Sequence, residues 1–100
     1  MEFKLPKAKK TKWLKALRSG KFIQATGQLK IRDENNEHGH CCLGVARAVR
    51  LCKAQGSSGD DACYVSESFL PQRIQDTLIN FNDDQGLSFR VIAQWIDDNL

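Results

Sequence analysis

His38, His40, Cys41 and Cys42 put two imidazoles and two thiols into one short stretch, EHGHCCLGVARAVRLC. These atom types suit a zinc ion. A structural zinc site needs four ligands converging tetrahedrally, usually through cysteine pairs spaced C-x₂₋₄-C. Here the cysteines are adjacent, where an extended segment passes into a helix, so their side chains point apart. On a strand, His38 and His40 share a face that excludes Cys41. Cys63 would have to join from elsewhere in the fold. No metal site is expected.

A thiol nucleophile is the second chemistry these residues offer. Cys41 stands at the start of a helix, where the dipole lowers a thiol pKa. Gln24 lies upstream, as a glutamine does in papain-like enzymes. Those enzymes place the base histidine after the nucleophile, whereas both histidines here precede it. The expected roles are therefore structural: buried thiols and exposed strand histidines, with no catalytic residue and no cofactor. A cysteine-dependent enzyme is the lesser alternative.

Two further stretches resemble ligand loops in part. In FNDDQG, Asn82, Asp84 and Gly86 alternate like cation ligands, but the distant Glu of an EF-hand is missing. Turn formation and helix entry account for them. GSSGDD lacks the lysine of a phosphate loop and reads as a flexible connection.

The elements that hold these residues follow from hydrophobic spacing. Residues 1–10 read as a flexible basic arm and 11–100 as one domain. Trp13, Leu14 and Leu17 make one face of a short helix, with Thr11 as its cap and Gly20 as its stop. Leu29 and Ile31 alternate with Lys30 and Arg32, and DENNE turns the chain back into a strand over about Glu37 to Cys41. A central helix then carries Cys42, Val45, Ala46, Val49 and Cys52 inward and ends at Gly56. Gly44 inside it points to tight packing. ACYV reads as a short strand. A third helix has Pro71 in its first turn and Leu70, Ile74, Leu78 and Phe81 inside. Ser88 caps a fourth, whose stripe is Phe89, Ile92, Ala93, Ile96 and Leu100. The expected fold class is α+β, about four helices packed on a small antiparallel hairpin or sheet.

The charge is unevenly spread over the 100 residues. Residues 1–30 hold nine Lys/Arg against one acid, a charge of +8, and the rest carries −5. The net value is +3. This layout points to an acidic partner for the N-terminal part. The pI of about 8.8 is lower than a dedicated nucleic-acid binder shows. No stretch is apolar enough to span a bilayer, and MEFKLPKAKKTKW lacks the apolar core of a secretory leader. A cytoplasmic protein with reduced thiols is expected.

KALRSGKFIQATGQL, CCLGVA, LPQ and NDDQGLSFRVIAQWIDDNL occur here in that order. Together they resemble a family of small proteins of tailed bacteriophages and prophages, over most of residues 12–100. The most specific pieces are LRSGKF, CCLGV and the ND-x-x-G-x-SF-x-x-IA-x-x-I ending. In that family an aromatic residue often precedes the cysteine pair, where this chain has His40. The resemblance implies viral origin and a compact α+β fold. It implies no catalytic residues, because the family has no assigned biochemical function.

Two function classes follow. In the first, the protein binds a host or phage protein in the host cytoplasm without catalysis, with countering of host defence as a specific form. In the second, it is a nucleic-acid-binding accessory protein. Lys7, Lys9, Lys10, Lys12, Lys15 and Arg18 are the candidate contacts in either case. Trp95 beside the last apolar stripe joins them as an amphipathic contact residue. The bland alternative for the lysine run is a solubilising tail. No membrane partner is expected, and the oligomeric state is left open.

Overall fold

Trp13, Leu14 and Leu17 lie on one helical face, and the first helix buries all three. The computed structural model describes residues 3–27, 29–32, 38–55 and 64–100. Helix α1 runs over Lys7–Arg18. Its first turn is therefore Lys7–Lys10, which the sequence assigns to a flexible arm. Pro6, not Thr11, occupies the N-cap. The cause lies outside the helix. Leu5 is buried, and its N–H donates to the Leu100 carbonyl at 2.9 Å. That anchor fixes the entry of a lysine-rich segment whose helix propensity is good. Gly20, with φ 76°, ends the element as expected.

Three short strands follow: β1 over Ile23–Gln24, β2 over Lys30–Arg32 and β3 over His38–His40. β2 and β3 form the expected antiparallel pair, with Lys30 opposite His40 and Ile31 opposite Gly39. Its DENNE turn, residues 33–37, lies outside the described residues. The sheet is nevertheless mixed, in the order β1-β3-β2, because β1 pairs with β3 in parallel. A two-residue strand is too short for periodicity to reveal. Ala25 extends this pairing by donating its N–H to the His40 carbonyl at 2.8 Å.

Helix α2 covers Cys42–Ala48 and buries Cys42 through Ala46. It is shorter than the spacing predicts. Arg50 adopts a left-handed φ of 65°. Leu51 N–H then donates to the Ala46 carbonyl and Arg50 N–H to that of Arg47, both at 3.0 Å. This is the Schellman closure that glycine usually makes. Cys52 therefore leaves the helix and is half-buried. The chain instead forms a single bridge between Ala54 and Val65. Gly56 and the GSSGDD loop, with Cys63 of ACYV, fall outside the described residues.

Helix α3 spans Gln72–Ile79, with Pro71 before its first turn. Ile74 and Leu78 face inward as the stripe predicts, and Gln75 between them is also fully buried. Its amide is satisfied on every side used. Oε1 accepts from Val65 N–H at 2.9 Å, and Nε2 donates to the carbonyls of Val65 at 2.9 Å and Leu70 at 2.8 Å. Gln75 thus pins the bridge strand to α3. Gln75→Leu takes the Gln75 partner from Val65 N–H and from the Leu70 carbonyl, while the Val65 carbonyl keeps Gln55 Nε2 at 3.3 Å, and it is expected to cost about 2 kcal/mol or more. Urea unfolding checks this, and a midpoint equal to wild type would refute it.

The chain continues into a π turn over Asn80–Asp84, where the sequence reads as the end of the third helix through Phe81 and a loop from Asn82. Helix α4 then runs over Phe89–Asn99. Ser88 caps it, its hydroxyl accepting from Val91 N–H at 3.4 Å. Phe89, Ile92, Ala93, Ile96 and Leu100 are buried, as their spacing predicts. The architecture is a compact α+β fold in which the helices and one small sheet share one core.

Candidate functional site

Cys41 occupies the N-cap of α2, where a helix dipole would activate a thiol. Its surroundings do the opposite. The side chain is 4% exposed, and burial pushes the thiol pKa up from 9.0 to about 11. The N–H of Gly44, 3.4 Å from Sγ, pulls it down by less. Cys42 is fully buried, and its Sγ donates to the Leu78 carbonyl at 3.7 Å. Burial, and then the neighbouring Cys41, raise its pKa well above 9.0. Both thiols fill the junction between sheet and helix.

His40 packs its ring edge-on to Phe22, with centroids 5.3 Å apart. Among the described residues, no group of three or more His, Cys, Asp or Glu side chains is placed to hold a metal ion. Gln24, the residue that papain-like chemistry would use, is a strut. Its Nε2 donates to Asn82 Oδ1 at 2.9 Å and to the Leu87 carbonyl at 2.6 Å, and its Oε1 accepts from Phe89 N–H at 3.1 Å. Asn82 Nδ2 donates onward to the Ala25 carbonyl at 2.8 Å and to Asp83 Oδ1 at 2.7 Å. Asp83 Oδ2 accepts from Gly27 N–H at 3.0 Å. These bonds tie β1 to the π turn and the start of α4, and they explain the polar run that resembles a cation loop.

The basic residues of α1 divide into two groups. Lys10 and Arg18 turn toward the C-terminal end of α4. Lys10 Nζ donates to the Asp97 carbonyl at 2.8 Å and lies 3.7 Å from its carboxylate. Arg18 lies 3.6 Å from the same carboxylate and donates to Gln94 Oε1 at 3.3 Å. Lys4 Nζ joins them, donating to the Asn99 carbonyl at 3.2 Å. Cations at the carbonyl end of a helix offset its dipole, and here they offset the acids that end α4. Exposed pairs of this kind contribute roughly 0–1 kcal/mol each, so their effect is chiefly geometric.

Lys7, Lys9, Lys12 and Lys15 form the second group. All four are exposed and make no ion pair among the described residues. Lys12 and Lys15 lie away from Trp13, Leu14 and Leu17, and Lys7, one heptad before Leu14, stands exposed in the first turn. Lys9 lies on the side toward α2, where with Arg47 it opposes the rise of the Cys52 thiol, which burial still carries to about 12. Trp95 does not join this group. It is half-buried, edge-on to Phe81 at a centroid distance of 5.3 Å. Two residues along a helix reverse direction, so Trp95 projects from the flank of α4 opposite Asp97, the residue α1 contacts. The structural roles of Gln24, Gln75 and Asn82 carry no sequence signal, because amides are read as surface residues.

No helix is long and apolar enough to cross a membrane among the described residues. A family model described as a domain of unknown function, DUF8296, matches residues 5–76. No curated protein and no solved structure matches.

Proposed function

The chain belongs to the DUF8296 family, and we propose that it is a non-catalytic binding protein whose α1 lysine face docks on an acidic protein surface. One observation carries this reading. Helix α1 turns Trp13, Leu14 and Leu17 into the core and presents Lys7, Lys12 and Lys15 outward, on a rigid element, unmatched by any acid among the described residues. A fixed cationic face speeds encounter with an acidic surface and selects its orientation. The internal pairing of Lys10 and Arg18 with Asp97 supports the division of labour: two cations hold the helix down and the others remain for a partner. The burial of Cys41 and Cys42 and the use of Gln24 as a strut support action without turnover.

The likeness of LRSGKF and CCLGV to a family of tailed-phage proteins supports a host or phage protein as the partner, met in the host cytoplasm. Covering a surface of a defence protein is a form of action that requires no reaction centre. A nucleic-acid partner is the competing reading.

The test is retention on the immobilised full chain. Nuclease-treated bacterial lysate is passed over wild type and over a Lys7→Glu/Lys12→Glu/Lys15→Glu variant. Wild type is expected to retain a discrete acidic protein in stoichiometric amount, and the variant about tenfold less. Equal retention by both overturns the reading. Retention seen only from a parallel lysate left without nuclease, together with a shift of random duplex or single-stranded DNA, replaces it with nucleic-acid binding.

A further inference from the structure

Val91 stands 49% exposed on the outer flank of α4. Trp95 follows it by one helical turn, half-buried, with its ring edge-on to the half-buried Phe81. The three make an apolar patch on that flank. Asp98, one turn beyond Trp95, extends the same row and is exposed. Asp84 is exposed on the π turn that carries Phe81. Each carboxylate accepts a side-chain amide bond, from Gln94 and Asn80 respectively, both at 3.0 Å. Neither meets a cation among the described residues. Arg90, the base of α4, lies a heptad before Asp97 and so on the flank that faces α1. We infer that this acid-rimmed patch takes the lysine face of α1 from a second copy of this chain.

The inference rests on the reading of that face as a docking surface and names a surface it meets. The two complement each other in kind. A lysine lays its methylene stem along apolar surface and carries its ammonium past it into water or onto a carboxylate. The face of a tryptophan attracts the same ammonium. Lys12 and Lys15, three residues apart and exposed on a rigid helix, present two such arms side by side. Within one chain the surfaces do not meet. Helix α1 packs on the Asp97 flank of α4, and the patch lies on the other. Each copy therefore carries one basic and one acid-rimmed surface that face away from each other. That arrangement builds a head-to-tail series and not a two-fold pair. The patch is small, so the contact is weak and depends on concentration and salt.

Sedimentation velocity of the full chain at low salt, over rising protein concentration, decides the matter. Wild type is expected to sediment faster as concentration rises, without stopping at two copies, and to return to monomer in added salt. Val91→Lys, at an exposed position, sets like charge against the lysine face and is expected to weaken association about tenfold. The Lys7→Glu/Lys12→Glu/Lys15→Glu variant and an Asp84→Lys/Asp98→Lys variant are each expected to stay monomeric. Mixed, they are expected to associate, because one keeps the acid-rimmed patch and the other keeps the lysine face. Circular dichroism reports whether each variant is folded, and Val91→Lys decides if a multiple variant is not. A plateau at two copies, unchanged association in folded Val91→Lys, or two folded variants that stay apart when mixed overturns the inference. Monomeric wild type that still retains its lysate partner overturns this inference alone. Monomeric wild type that retains none overturns the lysine-face reading with it.

Discussion

Gly44→Ala is expected to destabilise the fold by about 3 kcal/mol or more. A Cβ at this position would overlap the carbonyl of Leu29, whose carbon would lie 2.7 Å away and whose Cα 3.1 Å away. All the obstructing atoms are main chain, so no side-chain rotation relieves the clash. Helix α2 must lift off β2, carrying the buried Leu43 and Val45 with it. Helix propensity makes the opposite prediction, since alanine is favoured over glycine by about 1 kcal/mol inside a helix. The sign of the effect therefore separates packing from propensity. Gly20→Ala is the control. It meets nothing within 4 Å and bears only the strain of φ 76°, so its effect should be near 1 kcal/mol. Thermal unfolding followed by far-UV circular dichroism measures both. A melting temperature for Gly44→Ala at or above wild type would contradict the packing described.

Trp13→Ala should be comparably severe, at about 4 kcal/mol. Trp13 is fully buried, and it is the bolt between α1 and the rest of the molecule. Its Nε1–H donates to the Cys42 carbonyl at 3.0 Å. Its ring meets that of Phe69 edge-on, at 5.5 Å between centroids. The alanine variant loses the ring's volume and leaves the Cys42 carbonyl without this donor. Trp13→Phe keeps most of the volume and loses the hydrogen bond, so it should cost about half as much. Trp95 remains as the fluorescent reporter in both variants during urea unfolding. Equal midpoints for the two variants would show that the ring is not the determinant. Because α1 carries the lysine face, the alanine variant should also lose partner retention while keeping every lysine.

Much of the architecture was legible in the residues, for identifiable reasons. The stripe from Phe89 to Leu100 and the hydroxyl of Ser88 specify α4, because cap and periodicity agree. Leu29 and Ile31 alternating with lysine and arginine, ahead of a polar turn, specify the β2–β3 pair. Gly44 announced close packing because nothing else justifies glycine in mid-helix. Other features depend on partners distant in sequence. The first turn of α1 needs Leu5 docked against the end of α4. The parallel pairing of β1 needs Ala25 and Gln24 held by His40 and Asn82. Helix α2 stops at Arg50, a left-handed residue that no composition rule marks.

The candidate site was legible to a similar degree. Charge counting located the basic segment. It could not divide Lys10 and Arg18 from Lys7, Lys12 and Lys15, since that division depends on where α4 ends.

The chemistry-bearing pair Cys41–Cys42 fills the interior. An unfolded thiol ionises near 9.0, whereas native Cys41 holds its proton to about 11. Its contribution to stability is complete below pH 9 and is lost as pH rises through 11, because the unfolded state gives up protons first. At neutral pH native Cys41 therefore stays in the thiol form. Site-resolved alkylation of the native protein at neutral pH tests this directly, with each cysteine followed by mass spectrometry. Cys41 and Cys42 are expected to react no faster than the protein unfolds, and to accelerate together when urea is added. Rapid, selective modification of Cys41 in protein that stays folded would contradict the interior role and return the helix N-terminus to consideration as a reaction centre.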